Sequence, residues 1–573
     1  MQQHYAFVPM ALAALAALAP AQTLTVLVKD GDMPAGAGTV TAIDNLAVND
    51  NGDTLVETST TSGLSVMWRN VVPYLKEADA LPAPAGATIS SFDDIMINNL
   101  GESGWNLFLT GPATNADSGV YVDSTLVLQE GTLSTSPLFS PNTPYIGFFG
   151  VKWNDDRQML VMASVDDPAI ASTVDRALVK LRLDPAYAIL SETVLAKEGD
   201  TVPGFGGETI TDFETGPHGY ALNQQGSVMA VAHLTGATTS DIAIVVDGNV
   251  LAREGDPSPI PGRNYEILSG RPVDLADNGH TIFRANLDGA ATDDEVIVKD
   301  GVVIAQEGSG LPAIGSFLFT AFGSVARVDC GGHAFWFGDW DDPVTTQDTG
   351  LFVDDQLLVQ EGVTTVGGIV IEFIASVQDT LTISPDGRYV AFEGRLAGGV
   401  DAAFLVDRGA GSCNTPATAF CLGDGTGAAC PCGNTGSAGH GCGSSAFPGG
   451  AILSSSGIAG ASAGTDTLVL TATDIPGPGL FFQSSGLAPS PVAFGDGQLC
   501  AAISIVRLGV VFPTAGVASY PGGLTPNPIH VQGGPIVAGD IKHYQCWYRS
   551  VPALCTTGSN YDLTQGLTLT WGP

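Results

Sequence analysis

The sequence predicts an all-β chain, a β-propeller of about seven blades followed by a small disulfide-bonded β-sandwich. Three observations predict it. One short phrase recurs along the first four hundred residues. Gly is abundant, at 73 of 573 residues, while charged residues make up only 14%. Eight of the nine cysteines fall after residue 412. A strand-rich sequence repeating every fifty residues or so is the mark of a blade architecture. At 44% hydrophobic residues, the chain also has enough apolar surface to fold.

Residues 1–21 read as a secretory signal. An apolar run, Val8–Ala19, precedes a small-x-small site at Ala19-Pro20-Ala21. No Lys or Arg precedes the run. A membrane anchor is the alternative, but the run is short for a bilayer and no later stretch is long enough for one. The expected location is secreted or cell-surface, with no membrane insertion.

Residues 22–410 carry the repeat. Its phrase is an apolar strand, an acidic residue, glycine and a polar break: VLVKDGD at Val26–Asp32, LVLQEG at Leu126–Gly131, VLAKEGD at Val194–Asp200, VLAREGD at Val250–Asp256, VIAQEG at Val303–Gly308 and LLVQEG at Leu357–Gly362. YLKEAD at Tyr74–Asp79 is a weaker copy. Successive glycine-equivalent positions lie 47, 53, 68, 56, 53 and 54 residues apart.

Each unit contains three further segments. An apolar strand such as FDDIMI at Phe92–Ile97 comes first. A turn and strand follow, as in VNDNGDTLVE, LNQQGSVMAV, LADNGHTIFR and ISPDGRYVAF. These turns centre on Gly52, Gly101, Asp156, Gly226, Gly279, Gly331 and Gly387. Gly and Asn there permit the positive φ of a tight hairpin. The third strand is GVYVDS, IAIVVDGN, VIVKDGV, GLFVDDQ or AFLVDRG, and the phrase itself is the fourth. The first phrase, Leu24–Asp32, stands alone, and the last unit stops at Ala403–Asp407 without a fourth strand. The amino-terminal strand is therefore expected to complete the blade begun near Ile369. Seven turn-strand units give seven blades; the second and third are the least regular, so six or eight stay open.

Residues 411–445 are a Gly/Cys-rich linker, too rich in Gly for a helix. Residues 446–573 return to strands in DTLVLTATDI, LFFQSS, AAISIVRLGVVF, HYQCWYRSV and LTLTWG, read as the sandwich. Cys413, Cys421, Cys430, Cys432, Cys442, Cys500, Cys546 and Cys555 are the disulfide candidates, with pairing open. Cys330, alone in the repeats, is expected to be a buried free thiol.

Two stretches resemble known families. ISPDGRYVAFEG at Ile383–Gly394 resembles the repeat of TolB-type propellers. REGDPSP at Arg253–Pro259, with LADNGHTIF, resembles repeats of exported bacterial propeller-like proteins of unassigned function. In the tail, FCLGDGTGAACPCGNTG, SSAFPGGAILSSSG, VAFGDGQLC and HYQCWYRS with LTLTWG resemble a Cys-rich carboxy-terminal module recurrent in exported bacterial proteins. These resemblances imply a fold and an exported setting; they carry no catalytic residue.

Charge excludes some functions. The net charge is -38, of which residues 413–573 contribute only -3. Such a surface repels nucleic acid and anionic membranes. Candidate sites are few. Cys421, Cys430, Cys432 and Cys442 with His440 have some character of a zinc site, but the one-residue gap between Cys430 and Cys432 and the export signal favour disulfides. Asn49-Asp50-Asn51-Gly52-Asp53 gathers oxygens that suit calcium but lacks the EF-hand pattern, so a plain turn is expected. Asp339-Trp340-Asp341-Asp342 suits a cation or a stacked sugar; a solvated loop is the favoured reading. Glu130, Glu198, Glu254, Glu307 and Glu361 recur at one blade position and are expected to accept N–H groups in the turn.

No G-x-S-x-G elbow is present, and His218, His233, His280, His333, His440, His530 and His543 are scattered. Tyr544 and Tyr548 share one strand face and Trp547 the other, so at most part of that set can stack on a sugar. No catalytic residue, metal or cofactor is assigned. The expectation is a non-enzymatic binding or attachment protein whose partner is a polysaccharide or a cell-surface protein. An extracellular glycosidase or lyase with its site at the propeller axis is the alternative, and a structural envelope component is the third. Inward-facing carboxylates or histidines peculiar to one or two blades would favour the enzyme.

Overall fold

Every acidic-glycine phrase ends a strand on the outer edge of an antiparallel sheet of four to six strands. The chain is described by a computed structural model that covers residues 22–409 and 417–572, apart from 171, 173, 203–206, 278, 458, 462–465, 467, 515, 524–526, 538 and 556–558. The proposed signal at 1–21 and Cys413 lie outside the described residues.

The repeat region is all-β and propeller-like. The first sheet runs Val40–Val48, Thr54–Thr60, Ser65–Arg69 and Val72–Lys76, each strand pairing with the next. Five further sheets repeat this meander across residues 88–129, 145–197, 210–253, 265–306 and 319–360. The seventh spans 365–407, and its last strand, Val400–Asp407, pairs with Thr23–Lys29. That register matches Thr23 with Asp407 and Lys29 with Ala402. The lone first phrase thus supplies the missing fourth strand.

Burial explains the order of strands. Second and third strands are buried on both faces, as in Val228–Leu234 and Ile242–Val246, because each sheet is covered by a neighbour on either side. Outer strands alternate, as in Asn249–Arg253. Each adjacent pair of sheets shares a hydrophobic cluster, from the first with the second through to the sixth with the seventh. The seventh sheet meets the first: its Val28 and Ala403 pack with Val56 and Trp68. The sheets therefore close on themselves. Trp336 shows how firmly they are held. It is fully buried, stacks on Phe352 at 4.5 Å and meets Phe319 edge-on. Truncating such a ring to Ala costs about 3–5 kcal/mol.

The phrase works as a stop. Gly31 takes φ +89°, and the Asp32 carboxylate accepts the N–H of Lys29 at 3.0 Å. Asp79 and Asp200 repeat this bond to Lys76 and Lys197. Ala78 must adopt φ +69° in the weaker copy, a strained setting for a residue with a Cβ.

Past residue 416 a six-stranded sheet holds Gly479–Ser484, Val506–Val511, Ile541–Arg549 and Gly566–Thr570, and a three-stranded sheet holds Ile452–Ser456, Val469–Thr473 and Ala518–Tyr520. Both contribute to one core around Phe481, Tyr520, Tyr544 and Trp571. Ala417–Phe420, inside the stretch read as linker, is itself an edge strand against Gly566–Thr570. The single strand expected over Ala501–Phe512 is two, Gly497–Ile503 and Val506–Val511, parted at Ser504 with φ +49°.

Cysteine pairing corrects two expectations. Cys421 bonds Cys500, Cys430 bonds Cys442 and Cys432 bonds Cys555. Cys546, expected in a disulfide, is the buried free thiol. Cys330, expected to be free, is disulfide-bonded. Cys546 faces inward from the middle of its strand, against Gly479. Clustering in the sequence says nothing of which way a strand residue points.

Candidate functional site

The seven turns that begin the second strands meet at one end of the ring. Side-chain-to-backbone bonds tie the turns of the first five sheets and the seventh, and the Cys330 N–H donates to the Pro385 carbonyl at 3.1 Å between the sixth and the seventh. Asn49 Nδ2 donates to the carbonyl of Asn98 at 2.8 Å, Asn98 to Asn154 at 3.3 Å, Asn154 to Asn223 at 3.0 Å and Asn223 to Ala276 at 3.1 Å. The next residue in each turn adds a second circuit. Asp386 N–H donates to Asp50, Asp50 to Asn99, Asn99 to Asp155, Asp155 to Gln224 and Gln224 to Asp277, all at 2.7–2.8 Å. Buried polar groups are costly unless paired, and this circuit pairs them. Burial still pushes Asp155 up to about 6 and Asp277 up to about 7. Asp50 rises well above its usual range through burial and then the nearby Asp386 charge.

Behind these turns lies a cavity of about 130 Å³ in the centre of the ring. Lys152, Tyr220, Asp274 and Arg327, each from the innermost strand of a different sheet, line it, and Asp94, His218 and Asp379 lie beside them outside the lining. Lys152 Nζ donates to Asp94 at 2.8 Å, and both side chains are nearly buried. Arg327 faces Asp274 at 3.8 Å. His218 accepts the Asp379 N–H at Nε2, 2.9 Å away. Tyr220 lies with its ring under Lys152 Nζ, 5.1 Å from the centroid. Burial, then Arg327, lowers His218 to about 4, so it is neutral at pH 7. Burial and then Asp94 push the Tyr220 hydroxyl far above its usual range. Burial lifts Asp94 and Asp274 despite their cations; at Asp379 burial also acts upward, but the His218 bond together with the charges of His218, Lys152 and Arg327 brings the carboxyl below its usual value.

The residues singled out in the sequence sit elsewhere or serve the fold. Asn49 Oδ1 accepts the N–H groups of Asn51 and Asp53, so the Asn49–Asp53 loop is an Asx-type turn and a link in the circuit. Trp340 is buried against Phe352, while Asp341 and Asp342 accept the N–H groups of Leu318 and Val344. Glu254 accepts the Leu268 N–H, in the next sheet's first segment rather than in its own turn. Within the turn that role belongs to the following Asp, as at Asp32. The sulfurs considered for zinc are in disulfides, and His440 Nδ1 faces the Gly450 carbonyl at 2.9 Å. Tyr544 and Tyr548 are core, and Trp547 packs with Phe494 and Tyr561 on the other face. No group of three or more His, Cys, Asp or Glu side chains placed to hold a metal gathers among the described residues. Sequence reasoning missed Lys152, Tyr220, Asp274 and Arg327 entirely, because nothing repeats among them.

Residues 12–246 match the model of a family of unknown function, DUF7453, which is less than half of the chain. No curated protein matches in sequence. Among solved structures, a puromycin hydrolase is 11% identical with a TM-score of 0.32, covering 64% of this chain and 51% of that one. The chain thus spans about half the length of that hydrolase. TolB from Acinetobacter baumannii is 11% identical with a TM-score of 0.25, covering 64% and 79%. The polysaccharide lyase Uly1 is 12% identical with a TM-score of 0.26, covering 66% and 90%. Likeness this loose transfers no activity, and the propeller-like fold rests on the strand pairing itself.

Proposed function

We propose that this chain is an exported binding or attachment protein, built as a seven-bladed propeller followed by a small β-sandwich, which holds a polysaccharide or a cell-surface protein without chemical change. The supporting observation is the state of the ring's centre. Small-molecule sites commonly enclose about 300–1,000 Å³, and this cavity is less than half of that. Its cations are matched by Asp94 and Asp274 rather than left for a substrate. Recognition then falls to the loops around the ring, the usual place for it on a rigid scaffold. Disulfides form and persist in oxidising compartments, in keeping with export, and no helix among the described residues is long and apolar enough to cross a membrane.

The enzyme reading has one observation on its side. His218, Asp379, Lys152 and Arg327 are each peculiar to one blade, as a catalytic centre requires. The protonation states of His218 and of the neighbouring Tyr220 oppose it. A general base needs a pKa near the working pH. His218 has moved well below it, its Nε2 already accepts an N–H, and Tyr220 has moved well above it.

The test is a panel of immobilised polysaccharides scored for retention of the full chain and for release of shortened sugars, with and without chelator. Retention without release is the expected result. Steady release of oligosaccharides would overturn the non-enzymatic reading. Absence of retention on every polymer would remove the polysaccharide and leave the protein partner.

A further inference from the structure

One bond crosses the ring, from the seventh sheet to the fourth. The Asp379 N–H donates to His218 Nε2 at 2.9 Å, and Asp379 Oδ1 lies 3.3 Å from the same nitrogen. The fifth and sixth sheets stand between the two on one side, and the first three on the other. Two loops make the reach. Four innermost strands run unbroken, as in Val40–Val48 and Phe319–Val328. The other three are interrupted, between Phe213 and Tyr220, Ile267 and Val273, and Ile374 and Leu381. His218 sits in the first gap and Asp379 in the third. Neighbouring sheets hold each loop: the Val273 N–H donates to the His218 carbonyl at 2.9 Å, and the Ser324 N–H to the Ser376 carbonyl at 2.7 Å. Asp379 takes φ +66°, a strained setting for a residue with a Cβ. The residues that follow each loop, Tyr220–Gln224 and then Thr382, Ile383 and Pro385, line the axial cavity. The crossing bond therefore lies on the side of the cavity away from the turns.

A ring nitrogen that accepts an N–H carries no proton, so this bond exists only while His218 is neutral, with its one proton on Nδ1. That Nδ1 is buried without a partner, a cost that solvent relieves once the loops part. We infer that the two loops form an acid-released strap across the ring's axis, closing the cavity at neutral pH and parting when His218 takes a second proton. A protonated Nε2 would face the Asp379 N–H donor to donor. Burial, Arg327 of the sixth sheet and Lys152 of the third all oppose the new charge; only Asp379 favours it, and the balance holds His218 at about 4. Asp274 and Asp94 stand against those two cations, with Asp93 beside Asp94. Burial raises all three carboxyls, so in acid they lose their charge and leave Arg327 and Lys152 freer to repel a charged His218. Tyr220, on the strand that follows His218, stays neutral throughout. Parting also relieves the strain at Asp379.

Hydrogen exchange on the full chain reads the strap directly, as the protection factor of the Asp379 N–H with the chemical pH dependence of exchange divided out. Solvated, His218 returns to about 6.5. Buried, it is held at about 4, so the parted state gains roughly a hundredfold between about pH 7 and about pH 4. Protection at Asp379 is expected to fall by that factor while Tyr389–Leu396, inside the same sheet, keeps its own. In His218→Gln, whose amide oxygen accepts an N–H without titrating, Asp379 protection should stay level across the range. Constant protection in the wild-type chain down to about pH 4 would overturn the inference. So would an equal fall in His218→Gln, or a parallel fall across Tyr389–Leu396, the sign that the ring unfolds as a whole. The wild-type profile decides even where His218→Gln does not fold.

Discussion

Replacing Lys152 with Met should destabilise the fold strongly and in a pH-dependent way. Lys152 Nζ and Asp94 Oδ2 are 2.8 Å apart, with side chains only 8% and 10% exposed. Removing one partner of a buried ion pair leaves the other charge uncompensated and costs about 3–5 kcal/mol. Lys152→Met keeps the apolar stem over the Tyr220 ring, so the loss is electrostatic. The second change of the cycle must be Asp94→Asn, not Asp94→Leu, because the Asp94 oxygen also accepts the Val151 N–H at 3.2 Å. The double variant, uncharged and still an acceptor, should recover most of the stability.

The pH dependence has a defined sign. Burial already raises the Asp94 carboxyl, and without Lys152 it rises further above its unfolded value. The folded state then holds a proton that the unfolded state releases, so stability falls as pH rises. Lys152→Met should therefore lose more at pH 8 than at pH 5. The assay is denaturant unfolding followed by tryptophan fluorescence. A loss below about 1 kcal/mol at pH 8, a set size of effect no larger than an exposed pair gives, would refute the reasoning. No rescue by Asp94→Asn would refute it equally.

Other outcomes follow from the same structure. Burial pushes Glu57 and Asp562 up to about 8 and Glu393 up to about 7, alongside Asp277. Raised carboxyls stabilise the folded state at low pH, so the melting temperature should be higher at pH 6.0 than at pH 8.5, values chosen to span these roughly 7–8 titrations; a flat or reversed trend in a thermal scan contradicts those environments. His218 acts in the opposite sense between about 6.5 and 4, so only the upper edge of its range reaches pH 6.0, where it is outnumbered by the four raised carboxyls. Cys546 is buried and burial pushes its thiol up, so a thiol reagent should label it only after unfolding; labelling of Cys546 in the native chain, read by peptide mapping, contradicts its placement.

Much of the fold was legible because each unit repeats the same physical solution. The phrase announces a strand end through glycine at positive φ, and its period gives the sheet spacing. The turn centres were nearly right. Gly52, Gly226 and Gly387 adopt positive φ as expected, but in the third unit the residue that does so is Arg157 rather than Asp156, and in the sixth Gly332 rather than Gly331. The amino-terminal strand was legible from a missing partner at the other end. The centre was not legible for the converse reason. Lys152, Tyr220, Asp274 and Arg327 come from four different sheets and share no spacing or residue type. Cysteine parity misled because it assumed a closed set in the tail, whereas Cys330 of the repeats is bonded and Cys546 of the tail is not.

Closure of the ring by its first strand is most directly tested by a cross-link across the seam. Thr25 and Leu405 are register partners in the antiparallel pair. In Thr25→Cys/Leu405→Cys, a disulfide between the new cysteines should form on oxidation, found as a cross-linked peptide, and should raise the melting temperature. Two thiols that stay reduced in the folded chain, with Thr23–Lys29 open to protease, would contradict the closed ring.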